Sequence, residues 1–206
     1  MKKTSTILIA TAVFLSSTLP VMTQGVSAEQ VKVPTTVDAQ KNLESKPSSD
    51  FINKFDQAVK LSGSQFIIDT DNLPKNTTAE ELTQLREMVS QKNSIISDSR
   101  NLNNGTKIEY NNNSVTIIAA SENNDLLRFR EGSNYVHVYW WGLRIGISKS
   151  TLHYIGAGVT IGGIWVPEPV VSKVLSTLGV VATLAPGGIV FNSTPPIATF
   201  WGPEFQ

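Results

Sequence analysis

The chain has no cysteine in 206 residues. That excludes disulfides, thiol nucleophiles, Cys-ligated metals and a lipid-modified Cys anchor. Histidine is nearly as scarce, with only His137 and His153. Their spacing matches no H-x-x-x-H ligand pair. No G-x-S-x-G or S-x-x-K nucleophile motif occurs, and no phosphate-cradling Gly loop precedes a basic helix. Asp69 and Asp71 stand beside Asn72-Leu73-Pro74, where a turn explains them better than paired catalysis. These absences point away from an enzyme and away from any cofactor or metal.

A third scarcity is local. Residues 29–149 hold 29 charged side chains, whereas residues 150–206 hold only Glu168, Lys173 and Glu204. None lies between Val174 and Pro203. Overall charge is balanced at 17 basic and 17 acidic residues. Without Lys2 and Lys3 the balance is slightly acidic, which argues against nucleic acid as a partner.

The first residues read as an export signal. Lys2 and Lys3 precede an apolar run from Thr6 to Leu19, and Val26-Ser27-Ala28 offers a small-residue cleavage site before Glu29. The run is shorter than the roughly 20 apolar residues of a membrane span. The expected product is therefore a secreted protein, cleaved near Ala28-Glu29. The absence of a C-terminal LPxTG motif argues against sortase attachment.

Four regions follow: a signal peptide at 1–28, a polar lead-in at 29–49, a charged α+β region at 50–133, and an aromatic and apolar region at 134–206. In the third, Ile52, Phe55 and Val59 predict a helix over 50–61, capped by Ser49 or Asp50. Residues 64–69 predict a short strand. Thr78 and Glu81 have capping-box spacing before Leu82, Leu85, Val89 and Ile96, which predicts a helix. Residues 107–110 and 114–119 predict a hairpin across an Asn-rich turn.

The fourth region opens on NYVHVYWWGLRIGIS, residues 134–148. As one strand it places Tyr135, His137, Tyr139, Trp141, Leu143, Ile145 and Ile147 on one face. Two readings stay open: a core strand covered on both sides, or an aromatic surface with one wet side. Gly142 marks a bulge or a close backbone approach. Arg144 either stacks on a neighbouring ring or binds a carboxylate or headgroup.

Beyond it, residues 150–166 and 170–185 read as two apolar helices joined by Pro167-Glu168-Pro169. Gly158 and Gly162 have GxxxG spacing, which suits close helix approach. Ile189–Phe191 and Ile197–Trp201 add short strands around Pro195-Pro196. The expected fold class is α+β: charged N-terminal helices and a small antiparallel sheet packed on a C-terminal apolar helical hairpin. The hairpin is either permanent core or an inserting element.

YWWG at 139–142, SKST at 148–151 and IWVPEPVVSKV at 164–174 resemble a loosely defined group of small exported proteins of Gram-positive bacteria. Those proteins combine a WWG strand with a Gly- and Ala-rich apolar helix pair. The charged stretch around Glu80 to Asn93 is similar to their N-terminal part, so the resemblance covers roughly residues 51 to 206. It implies export and a shared fold, and it carries over no catalytic residue. Two functions are expected from this sequence. One is a membrane-active, bacteriocin-like or toxin-like factor. The other is a stable extracellular binding or structural protein. The expected contacts with a lipid membrane or a cell-surface partner are Trp140, Trp141, Arg144, Gly158, Gly162, Trp165 and Trp201.

Overall fold

A computed structural model describes residues 46–102, 105–120 and 131–206. The chain divides into two units, and these residues belong to the one running from Gln40 to Gln206. The expected signal peptide, and the lead-in as far as residue 45, lie outside the described residues.

The charged region begins with α1, Ser49–Phe55. Ser48, rather than Ser49 or Asp50, caps it by accepting from the Phe51 N–H at 3.1 Å. The helix is shorter than its apolar period suggests. Val59 instead opens strand β1, Val59–Ser62, which turns at Gly63 (φ 61°) into β2, Gln65–Ile68. Asn93 secures β2 by completing both backbone bonds of Phe66, at 2.8 and 2.9 Å.

Asn93 belongs to α2, Ala79–Arg100, which starts as the sequence predicts. Thr78 Oγ1 accepts from the Glu81 N–H, and Glu81 accepts in return from the Thr78 N–H. Glu81 also binds Lys54 at 2.7 Å, tying α1 to α2. Lys54 and the Thr78 N–H together hold the Glu81 carboxyl below its ordinary range.

The predicted hairpin follows as β3, Lys107–Asn111, and β4, Ser114–Ile118. The segment read as one strand is two: β5, Tyr135–Tyr139, and β6, Gly142–Ile147, with the chain reversing at Trp140-Trp141. The reversal moves Leu143, Ile145 and Ile147 to the face of Val136 and Val138. Arg144 joins Tyr135, His137 and Tyr139 on the other.

The expected C-terminal helical hairpin is replaced by mixed elements. These are α3, Lys149–His153; β7, Gly158–Ile161; β8, Ile164–Pro167; α4, Glu168–Thr177; β9, Ile189–Ser193; and β10, Phe200–Phe205. The glycines explain the change. Gly158, Gly162 and Gly163 have φ of 150°, 55° and 86°, all outside the right-handed helical region. Gly162-Gly163 therefore forms a strand reversal, and β-branched Val159, Thr160, Ile161, Ile164 and Val166 favour the flanking strands. Pro169 sits in the first turn of α4, where it is tolerated, and Gly179 (φ 71°) follows its end. Among the described residues, no helix is long and apolar enough to cross a membrane.

Six strands form one antiparallel sheet in the order β10-β9-β6-β5-β4-β3. One face is dry. Val115, Ile117, Val136, Val138, Leu143, Ile145, Ile147, Ile189 and Phe191 are all buried on it. They share a core with Leu85 and Ile96 of α2 and with Val171 and Val174 of α4. The weakly charged C-terminal stretch thus supplies part of the core, through residues such as Val171, Val174, Ile189 and Phe191.

Candidate functional site

The opposite face of the sheet is chemically unlike the first. Cross-strand register places Glu109, Thr116, His137, Arg144, Asn192 and Trp201 in one row across all six strands. The arrangement follows from the two-residue period, because residues opposite one another in register point the same way. Most of these side chains are half-buried.

Aromatic rings run at right angles to this row, along β5. Tyr135 and His137 have ring centroids 4.6 Å apart, and His137 and Tyr139 are 6.4 Å apart. Trp141 extends the line from the turn, stacked on Tyr139 at 4.9 Å with planes 10° apart. Offset stacking of this kind is favourable, because ring quadrupoles attract when displaced.

Two glycines on β6 allow close approach, one of a ring and one of a backbone carbonyl. The Tyr135 ring occupies the space that a Cβ on Gly146 needs. At Gly142 the tight neighbour of such a Cβ is the Ser193 carbonyl, at 3.2 Å, with the Trp201 ring in ordinary contact at 3.7 Å. Arg144 stands between these glycines, close enough to the Tyr135 hydroxyl to interact with it. It pairs with Glu204 on β10. The carboxylate that the fold itself gives Arg144 is thus an intramolecular one. Lys46 lies 6.0 Å from the Trp201 ring centroid, within cation–π range.

The electrostatics favour neutral groups at the centre. Burial, with Arg144 next, lowers the His137 pKa below its ordinary 6.5. Its Nδ1 shares a 2.8 Å hydrogen bond with Thr116 Oγ1. Burial raises the Tyr135 hydroxyl above its usual value, against the pull of Arg144. The fold therefore disfavours protonated His137. This contribution to stability is fully present above about pH 6.5 and is lost as pH falls through the depressed folded value. Asp69 and Glu81, both lowered from ordinary carboxyl values, lose their contributions only at more acidic pH. Urea midpoints should fall between pH 7.5 and 5 in the wild type. The fall should shrink in His137→Asn; an equal fall in that variant would place the titrating group elsewhere.

Of the expected contact residues, the sheet face unites Trp141, Arg144 and Trp201. Trp140 is on the dry face, 3% exposed, with Nε1 donating to Asp56 Oδ1 at 3.1 Å. Gly158, Gly162 and Trp165 belong to the β7–β8 hairpin, where the Trp165 ring covers Gly158. Tyr135, Tyr139, Asn192 and Glu204 are face residues that the sequence reading did not select. The alternation Tyr135-x-His137-x-Tyr139, broken by Val136 and Val138, is the signal that marks three of the rings. Among the described residues, no group of three His, Cys, Asp or Glu side chains is placed to hold a metal ion.

No protein-family model matches the chain, and no curated protein or solved structure matches it either.

Proposed function

We propose that this is a secreted, non-catalytic binding protein whose open sheet face holds an extended polysaccharide. The observation that carries the reading is the line of rings Tyr135, His137, Tyr139 and Trp141 beside the Arg144–Glu204 pair and Asn192. A pyranose ring offers C–H faces to aromatic rings and hydroxyls to fixed donors and acceptors. A face with both kinds of group, half-exposed and rigidly backed by a sheet, suits such a ligand. Export, expected from the N-terminal residues, supplies the setting.

Calorimetric titration with soluble β-glucan, xylan and chitin-type oligosaccharides tests it. The wild type should bind one class saturably. Tyr139→Ala should weaken that binding about tenfold, the value of one favourable ring contact. Failure to bind any of the three, or unchanged binding by Tyr139→Ala, would sink the idea.

A second reading, peripheral contact with a lipid membrane, is favoured by a different surface. Tyr154, Val181 and Leu184 are 88%, 58% and 74% exposed. Val181 and Leu184 line an open apolar groove between α3 and α4, and Tyr154 directly precedes its Ile155. Exposed apolar clusters of this sort commonly meet lipid or protein. Vesicle co-sedimentation that Leu184→Asp abolishes would support this reading over the first.

A further inference from the structure

On the dry side of the sheet, the end of α2 meets the β7–β8 hairpin. Ser99 Oγ donates to the Gly162 carbonyl at 2.7 Å and fixes the two together. Beside this joint lies a groove of about 360 Å³, a volume within the range of small-molecule sites. Leu143, Ile164, Pro196 and Ile197 give it apolar walls. Only one lining side chain is charged, that of Asp98.

Asp98 is unfavourably placed for an isolated helix. It sits in the last turn of α2, where backbone carbonyls already concentrate negative potential. The cation of that turn, Arg100, is directed away and donates to Ser64 Oγ at 2.8 Å. Among the described residues, no cation pairs with Asp98, which accepts only from Ser94 Oγ at 3.4 Å. Trp165, 52% exposed, lines the same groove. A carboxylate, a helix C-terminus and an indole ring all attract positive charge, and here they border one apolar space.

We propose that this groove binds a small, free organic ammonium compound whose apolar body contacts the Ile and Pro walls. The charge complements Asp98 and the helix end, while the alkyl groups lie against Trp165. The site is separate from the open sheet face, so it does not rest on polysaccharide binding.

The test compares choline with 3,3-dimethylbutan-1-ol, its uncharged carbon isostere, by calorimetry on the mature full chain. Choline should bind saturably and about two- to fivefold more tightly than the isostere, the effect of one cation–π or ion contact at an exposed Asp98 and a half-exposed Trp165. Asp98→Asn should remove that advantage and leave isostere binding unchanged. Its thermal midpoint should stay at or above wild type, because the substitution relieves an acid at a helix C-terminus. Absence of saturable choline binding, equal affinity for the isostere, or an Asp98→Asn variant that binds choline normally would each overturn the proposal.

Discussion

Gly162→Val should lower the unfolding free energy by roughly 3 kcal/mol or more, from a strained backbone together with an overfilled core. Gly162 has φ 55°, a conformation that β-branched residues rarely adopt. A side chain there also runs into Ile117 Cγ2, and Ile117 is fully buried on β4. Neither element has room to yield, because the Ser99–Gly162 bond holds the hairpin against α2. Gly63 provides the control. Its φ is 61°, yet nothing lies within 4 Å of a Cβ placed on it. Gly63→Ala should therefore cost only the left-handed backbone term, about 1–2 kcal/mol. Urea denaturation of Gly63→Ala, Gly162→Ala and Gly162→Val separates backbone strain from packing. Equal losses for the two alanine variants would mean that the Ile117 contact is unimportant.

The adjacent tryptophans should give opposite results. Trp140→Ala is expected to cost about 3–5 kcal/mol, as for a large aromatic removed from a core. Its ring packs near Phe51, with centroids 6.4 Å apart, and its truncation leaves Asp56 without the indole donor. Trp141→Ala removes a half-exposed ring stacked on Tyr139, so stability should fall by about 1 kcal/mol or less. The same change should weaken polysaccharide binding about tenfold, since the ring ends the proposed platform. Denaturation and titration of both variants decide the matter. A destabilised Trp141→Ala with normal binding would make this tryptophan structural and remove it from the recognition face.

What the sequence revealed depended on how local the signal was. The Thr78–Glu81 capping box and the hairpin of β3 and β4 were readable because each is determined by residues a few positions apart. The reversal at Trp140-Trp141 was not. Tight two-residue hairpins usually advertise themselves with Asn-Gly or Asp-Gly, and this one has neither. Among the described residues, no non-glycine residue adopts positive φ. The resulting face switch hid the company that Arg144 keeps. Asn192, its register partner on β9, and Glu204, its ion-pair partner on β10, come about 50 and 60 residues later in the chain.

The difference between the expected C-terminal helical hairpin and the observed strands has a related cause. Gly158 and Gly162 have the spacing of a helix contact, but spacing does not disclose φ. Their positive φ makes strands and a turn of the expected helix. The near absence of charge beyond residue 149 signals burial only in part: Ile161, Val166, Val171, Val174, Ile189 and Phe191 are fully buried, whereas Tyr154, Val181 and Leu184 are exposed. It carried no information on whether helices or strands did the burying, because both look apolar when covered on all sides.

Hydroxyl-radical footprinting, with and without the oligosaccharide that binds in titration, tests the recognition face most directly. Tyr135, Tyr139, Trp141 and Trp201 should become protected from oxidation, while Tyr154 and Trp165 should react as before. Protection at Tyr154 or Trp165 with the four sheet-face rings unchanged would contradict the account and move recognition to the apolar loops or the α2 groove.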